Sequence, residues 1–239
     1  MFEINRMIVI VTGSGKGIGY KIAKELKVQG AKVIRIDKSY PKKISSTFDI
    51  KCDLQSLGSI KKAIKTVKKR FKKIGGLVNC AGVTFHNSKS QKKFDETLNV
   101  NLFAVYQLSK LICPMMAKNK QGSIINITSL GATFGFSKNP SYQISKAGLK
   151  QLSKSIAVDW GSKGIRCNNI SPGYINSGMT KKSFHKSKSS NERTSRMIIK
   201  RWGNPEDLVG PVIFLLSNAS SYITGSDINV DGGWSIKGI

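Results

Sequence analysis

The feature that most constrains the fold of this chain is a glycine-rich segment at residues 12–19, which directly follows a short apolar run at 7–11. Behind it, Ile22, Ala23 and Leu26 recur at helical spacing. A strand, a glycine loop and a helix in this order form a unit that binds phosphate. The glycines permit the tight turn, and the helix N-terminus presents free N–H groups.

The alternation of strand and helix continues to the end of the chain. Strand-like apolar runs occur at 32–36, 48–52, 77–80, 123–128, 165–170 and 228–230, and helical patterns at 60–71, 95–118, 142–160 and 207–216. This pattern predicts an α/β fold, a doubly wound parallel sheet of about seven strands with helices on both faces. No Pro/Gly/Ser-rich linker divides the 239 residues, so we predict a single domain over 1–239.

The charge of the chain is strongly basic, with 40 Lys and Arg against 13 Asp and Glu, a formal net charge of +27. That charge fits a folded nucleic-acid binder. However, 33 of the cations are lysine and they are spread over the whole chain. Nucleic-acid recognition favours arginine and interleaved aromatic residues. We therefore expect a solvated basic surface and no nucleic-acid partner.

Membrane and metal signals are absent from the sequence. It has no run of 18 apolar residues and no signal-peptide pattern, which predicts no membrane span. Cys52, Cys80, Cys113 and Cys167 lack CxxC or other metal-like spacing. We expect no metal site, small buried thiols and a cytoplasmic location.

Residues that follow the strands are the candidate ligand-binding groups, because ligands of parallel sheets lie beyond the carboxyl ends of the strands. Asp37 can accept hydrogen bonds from a ribose 2′-OH and repel a 2′-phosphate, which favours NAD over NADP. Lys16 and Lys38 favour NADP instead, since both can neutralise its 2′-phosphate. Asp53 can accept from an adenine amine, with a turn or N-cap role as an equal alternative.

A second group of polar residues points to acid/base chemistry. Tyr142 and Lys146 are four residues apart and share one helix face. An ammonium beside a phenol is expected to lower the pKa of the phenol from about 10, which makes Tyr142 usable as an acid/base near neutral pH. Ser129, after the fifth strand, can polarise a carbonyl.

With these motifs in their order, the chain resembles the short-chain dehydrogenase/reductase (SDR) family over residues 12–234. The matches are the Thr-Gly-x-x-x-Gly-x-Gly loop at 12–19, Asp53, Asn79-Cys80-Ala81-Gly82, Asn101, Ser129, Tyr142-x-x-x-Lys146, Pro172-Gly173 and Asp231-Gly232-Gly233. One departure is Cys80, where the family usually repeats asparagine. The resemblance implies a Rossmann-type fold and an NAD(P)-dependent oxidoreductase that transfers a hydride between nicotinamide and a secondary alcohol or ketone.

The resemblance also implies roles for four catalytic residues. Tyr142 would be the acid/base, and Lys146 would lower its pKa and hold the nicotinamide ribose. Ser129 would orient the substrate oxygen, and Asn101 would anchor a water-linked proton relay. The implied cofactor-binding residues are Thr12, Gly13, Ser14, Lys16, Gly17, Ile18, Gly19, Asp37, Asp53, Leu54, Asn79, Ala81, Gly82, Tyr142, Lys146, Pro172, Gly173 and Ile175. Family members are often homotetramers.

The substrate is predicted from the C-terminal third of the chain. The segment at 201–234 is most similar to the gluconate and deoxygluconate (sugar-acid and polyol) branch of the family. In the family, the region at about 177–201 is commonly a mobile lid, and here it is basic, which favours an anionic substrate. Candidate substrate residues are Ser129, Tyr142, Tyr174 and Lys181.

Two alternatives stay open at this stage. One is a 3-oxoacyl carrier-protein reductase, whose acidic partner would suit the basic surface. The other is a catalytically inert basic binding protein that keeps a relic cofactor site.

Overall fold

The computed structural model of the chain describes residues 2–40 and 48–237, with the side chains at 182, 187 and 189 left out of that description. Seven parallel strands form one sheet in the order β3-β2-β1-β4-β5-β6-β7. They are β1 Ile8–Thr12, β2 Lys32–Asp37, β3 Asp49–Lys51, β4 Gly76–Asn79, β5 Gly122–Ile127, β6 Ile165–Pro172 and β7 Asp227–Val230. The predicted parallel α/β fold is confirmed.

Eight α-helices connect these strands within the described residues. They are α1 Gly17–Val28, α2 Leu57–Arg70, α3 Gln91–Leu98, α4 Ala104–Ala117, α5 Pro140–Trp160, α6 Lys181–Phe184, α7 Ser187–Ser195 and α8 Val209–Leu216. Residues at 177–200 show no clear period in the sequence, yet they contain two short helices, α6 and α7.

The core has two layers because successive strand residues point to opposite faces of the sheet. Ile10 packs with the apolar faces of α2, α4 and α5 on one side. Val9 and Val11 pack with α1 and α8 on the other side. The strands are therefore almost continuously apolar, as is typical of a parallel sheet covered on both faces.

The helix predicted at 95–118 starts earlier in the structure than predicted, and it is interrupted by an irregular turn. It begins at Gln91 and passes through a π-helical turn, Asn99–Phe103, before continuing as α4. In the described part of the chain, Gln91–Ala117 is the one helix long and apolar enough to span a membrane by length and composition alone. Its most apolar window is 56% buried inside the fold, which is typical of a core helix.

Two buried thiols make the stability of the fold depend on alkaline pH. Cys113 and Cys167 are completely buried, as predicted for small hydrophobic residues, whereas Cys80 is only half-buried because it lines the cleft, so the prediction is wrong for that thiol. Burial raises the pKa of each thiol from 9.0 to about 12. A raised folded-state pKa stabilises the fold fully below the unfolded-state pKa, and this contribution is lost as pH rises from 9 towards 12.

We therefore expect the free energy of unfolding to fall between pH 8 and pH 10.5, by about 2 kcal/mol for each of the two thiols. Urea unfolding at both pH values measures the loss. The double variant Cys113→Ala/Cys167→Ala should be less stable at pH 8 but should lose less free energy on going to pH 10.5. An equal loss in the two proteins would contradict the assignment.

Candidate active site

A cleft of about 520 Å³ lies at the carboxyl ends of the strands. Most of the predicted site residues line it: Gly13, Lys16, Gly17, Ile18, Gly19, Asp37, Asp53, Leu54, Ala81, Gly82, Ser129, Tyr142, Lys146, Pro172, Gly173 and Ile175. The fold thus brings together residues from both halves of the chain. This convergence is what the doubly wound topology predicts for a ligand site.

The glycine loop forms a narrow cradle at the start of α1. Gly13 has a φ of +66°, and a Cβ there would lie 2.7 Å from the Ala81 Cα. A Cβ on Gly19 would lie 2.3 Å from the Gly13 carbonyl oxygen. The N-cap of α1, Lys16, makes no side-chain hydrogen bond that would cap the helix. The N–H groups of the first turn are therefore left to bind an anion, which fits the pyrophosphate of a dinucleotide.

Three predicted cofactor-binding residues support the cradle from beneath and do not line the cleft. The Thr12 hydroxyl oxygen accepts from the backbone N–H groups of Cys80 and Ala81 at 3.1 and 3.2 Å. The buried Ser14 hydroxyl donates to the Ile36 carbonyl at 3.4 Å. Asn79 is also buried. It lies within β4, where its paired residue in β5 is Asn126. Polar side chains on strands cannot be assigned to cleft or core from the sequence alone.

Asp37 presents a fixed carboxylate at the end of β2. One of its oxygens accepts from the backbone N–H of Gly15 at 2.8 Å, and the other accepts from the N–H of Ser39 at 3.1 Å. Gly15 permits this approach because a Cβ there would lie 2.3 Å from the Ser39 carbonyl oxygen. Lys16 and Lys38 line the same part of the cleft.

Asp53 lies further along the cleft. It makes the turn contact that the sequence analysis gave as the alternative to binding an adenine amine. Its carboxylate accepts from the backbone N–H of Gln55 at 3.0 Å.

The acid/base candidates lie on α5 and are held against the end of β5. The Lys146 ammonium is buried, donates to the Ile127 carbonyl at 2.7 Å and lies 5.8 Å from the centroid of the Tyr142 ring. The Ser129 hydroxyl accepts from the Gly131 N–H at 3.1 Å and remains at the cleft surface.

Asn101 lies inside the π-helical turn and is fully buried behind the cleft. Its carbonyl oxygen accepts from the Val83 N–H at 2.8 Å, and its amide nitrogen donates to the Val83 carbonyl and to Ser145, both at 3.0 Å. π-helical turns inside α-helices occur frequently at functional sites. Here the π-helical turn directs the Asn101 amide towards the loop after β4. Asn101 therefore stabilises the loop and α5 together.

The expected lowering of the Tyr142 pKa is wrong for this structure. Burial of the phenol raises its pKa above 10, and the hydrogen bond with Ser129 opposes that rise. Burial also lowers the pKa of Lys146 from 10.5 to about 8. The reason is that burial removes the water that stabilises the charged ammonium.

The basic segment at 177–201 reaches the cleft through its first residues. Ser177, Gly178, Met179 and Thr180 line the cleft, whereas the candidate Lys181 is exposed beside it. The side chain of Lys182, another cation of this segment, lies outside the described residues.

The candidate Tyr174 also lies beside the cleft and takes part in an aromatic cluster with Trp202 and Trp234. The Arg193 guanidinium lies 4.9 Å above the Tyr174 ring and 5.7 Å from the Trp202 ring. These contacts tie α7 to the segment that follows β6.

Sequence reasoning missed a group of cleft residues in the loop after β4 and on α3. They are Val83, Thr84, Phe85 and Glu96. The sequence could have indicated the loop residues, because the loop follows the end of a strand and ligands of parallel sheets bind there.

Comparison with known proteins supports the same chemistry. A family model described as Enoyl-(Acyl carrier protein) reductase matches residues 13–235. The chain is 34% identical to 2-dehydro-3-deoxy-D-gluconate 5-dehydrogenase of Pseudoalteromonas atlantica, over 98% of this chain and 97% of that protein. It is 35% identical to 3-oxoacyl-[acyl-carrier-protein] reductase FabG of Buchnera aphidicola, over 97% and 98% of the two chains.

A solved structure extends the comparison to a bound cofactor. A gluconate 5-dehydrogenase from Burkholderia cenocepacia, in complex with NADP and tartrate, superposes with a TM-score of 0.92. The two proteins are 26% identical, and the match covers 98% of this chain and 97% of that one.

Proposed function

The chain belongs to the short-chain dehydrogenase/reductase family, and on that premise we propose that it transfers a hydride between a nicotinamide cofactor and the secondary alcohol or ketone of a sugar-acid-like substrate. The observation that carries this proposal is the convergence of Ser129, Tyr142 and Lys146 on the cleft that also holds the glycine cradle and Asp37. Phosphate-binding and acid/base groups in one cleft are what such a reaction needs.

The residues of the chain have separate parts in this reaction. The cofactor, when bound, supplies or receives the hydride at its nicotinamide ring. Tyr142 gives a proton to the substrate oxygen in reduction and removes it in oxidation. Ser129 holds the same oxygen, and Lys146 orients the nicotinamide ribose. Asn101 anchors the water-linked relay that returns the proton to solvent.

We propose NAD as the preferred cofactor. The Asp37 carboxylate is fixed by two backbone N–H groups at the end of β2, where an acidic side chain would bind a ribose 2′-OH and repel a 2′-phosphate. Lys16 and Lys38 weaken this preference without removing it, because they are flexible cations in water. NADP is the cofactor named for the Burkholderia structure, so the preference of this chain needs its own measurement.

The experiment that tests the proposed function is a substrate panel assayed with NAD and NADP in parallel. Sugar acids, neutral polyols and a 3-oxoacyl thioester are offered, and absorbance at the nicotinamide band is followed. Turnover of sugar acids supports the proposal, and preference for the thioester favours the carrier-protein reductase, which the Buchnera relative makes a specific alternative. A chain inert towards the whole panel would favour the binding protein with a relic cofactor site.

An anionic substrate is supported by the basic segment at 177–201, which we propose acts as a lid within a single domain of 239 residues. Within this segment, Arg193 contacts Tyr174, which lies beside the cleft. The relative from Burkholderia was solved with tartrate, a dicarboxylate. We propose that Arg193 and Lys181 attract the carboxylate, while Ser129, Tyr142 and Tyr174 surround the reacting carbon.

Arg193→Gln is expected to lower kcat/KM for a sugar acid about tenfold, because a charge-assisted hydrogen bond contributes roughly 1.5–3 kcal/mol. The value for a neutral polyol should stay unchanged. Steady-state kinetics at two salt concentrations measure both. Arg196→Gln is the matched control, since it removes an exposed cation of the same segment. Equal losses for both substrates would contradict carboxylate recognition by Arg193.

We also propose that the protein is a cytoplasmic homotetramer. Exposed apolar side chains on α4 and α5 support association, among them Tyr106, Ile144 and Val158.

A further inference from the structure

We propose that a row of polar side chains crossing four strands, buried except for Asp227 at the sheet edge, positions α5, with Ser153 and Asp227 acting as positioning residues for Tyr142 and Lys146. The proposal rests on the proposed function for the identity of the catalytic groups. It concerns residues that no motif in the sequence marks.

The row is built on strand register. Asn79 of β4, Asn126 of β5, Asn169 of β6 and Asp227 of β7 are direct neighbours in successive strand pairs. Residues that are paired across a sheet point to the same face. The four side chains therefore form one line from the cleft side of the sheet to its edge.

Hydrogen bonds connect the row without a break. Asn79 donates to Asn126 at 2.8 Å, and Asn126 donates to the Ser153 hydroxyl at 2.8 Å. Ser153 in turn contacts the Asn169 amide oxygen, and Asn169 donates to Asp227 at 2.6 Å. Ser153 is the one member that comes from a helix, and it joins the β5 residue to the β6 residue.

The Asp227 carboxylate fixes the orientation of the Asn169 amide, the first group of the row. An ionised carboxylate can only accept, so Asn169 must turn its NH₂ group towards Asp227 and its oxygen towards Ser153. The Ser153 hydroxyl accepts from Asn126 and shares its one proton between the Asn169 oxygen and the Leu149 carbonyl of its own helix. One charged group at the sheet edge thus orients the first amide of a chain of hydrogen bonds that ends at Asn79.

The row holds α5 at two places. Ser153 follows Lys146 by seven residues, two helical turns, so both lie on the same face of α5. Lys146 donates to the carbonyl of Ile127, and Ser153 accepts from the neighbouring Asn126. At the sheet edge, Lys150 of α5 forms an ion pair of 3.0 Å with Asp227.

These contacts set the rotation of α5 about its axis, and with it the place of Tyr142 in the cleft. Removing the Ser153 contact leaves the amide of Asn126 and the oxygen of Asn169 buried without their partner. The helix would then settle differently against β5. Displacements of about 1 Å are enough to lower catalysis strongly.

The test compares Ser153→Ala with Ser109→Ala. Ser109 is a buried serine of α4 whose hydroxyl has no hydrogen-bond partner within the described residues, so its loss measures the effect of a missing hydroxyl alone. We expect Ser153→Ala to lower kcat about tenfold and to shift the pH profile of kcat, with the Kd of the cofactor unchanged. Ser109→Ala should leave all three unchanged.

Two variants at the sheet edge test the direction of the row. Asp227→Asn keeps an acceptor for Asn169 and should retain most of the kcat. Asp227→Leu removes the acceptor and should resemble Ser153→Ala. If Ser153→Ala and Asp227→Leu lower the melting temperature but leave kcat and its pH profile as in the wild type, the row is structural only and the proposal fails.

A readout without turnover separates this proposal from the proposed function. The pKa of Tyr142 is measured by ultraviolet titration, as the difference between each protein and the same protein carrying Tyr142→Phe. The groups that influence this phenol are Ser129 and Cys80. A shift in Ser153→Ala but not in Ser109→Ala supports the row even if the wild type is inert towards the panel, and no shift overturns it.

Discussion

Replacing Tyr142 by phenylalanine is expected to lower kcat about 10³-fold while the Kd of the nicotinamide cofactor changes less than about threefold. The substitution removes one hydroxyl and keeps the ring that α5 packs into the cleft. The proton of the substrate oxygen then has no acid/base partner. The loss should therefore fall on the chemical step and not on binding.

Steady-state kinetics and a fluorescence titration with the cofactor measure the two parts separately. Tyr222→Phe is the matched control, because Tyr222 is fully exposed and the same hydroxyl is removed there. We expect its kcat to equal that of the wild type. A Tyr142→Phe protein with turnover near the wild-type level would show that another group carries the proton.

Replacing Asp37 by asparagine is expected to raise the ratio of kcat/KM for NADP to that for NAD about 100-fold, equivalent to about 2.7 kcal/mol. Asparagine keeps an oxygen that can accept from the Gly15 N–H, so the loop retains its contact. The negative charge is lost, together with the acceptor for the Ser39 N–H. A 2′-phosphate would then meet Lys16 and Lys38 without a carboxylate between them.

The ratio is measured from initial rates with each cofactor at saturating substrate. Asp53→Asn is the control, since it removes a carboxylate from the same cleft at a turn next to Gln55. Its ratio should stay as in the wild type. An unchanged ratio in Asp37→Asn would mean that Asp37 does not face the 2′ position.

Much of the candidate site follows from local sequence signals. A glycine loop between a strand and a helix, with an acidic residue at the end of the next strand, defines one end of the cleft. The spacing of Tyr142 and Lys146 places both on one helix face. These signals are local because each depends on a few consecutive residues.

Other features could not be predicted because they depend on contacts between distant segments. The pKa of Tyr142 is set by burial, which the sequence does not report, and the expected lowering was wrong. Asn101 was predicted from the family resemblance, but its π-helical turn and its bonds to Val83 were not. The positions of Arg193 and Tyr174 depend on how α7 meets the segment after β6.

The sequence by itself determined the parallel α/β fold and the position of the glycine loop, and it predicted a candidate catalytic set, since periodicity and turn residues are properties of short segments. The tertiary structure alone decided which polar side chains face the cleft and which cross the core. Asn79, Asn126, Asn169 and Asp227 are far apart in the chain, and only strand register brings them into one row with Ser153. Register and burial arise from packing between distant segments, and these set the direction of hydrogen bonds and the pKa of the candidate catalytic groups.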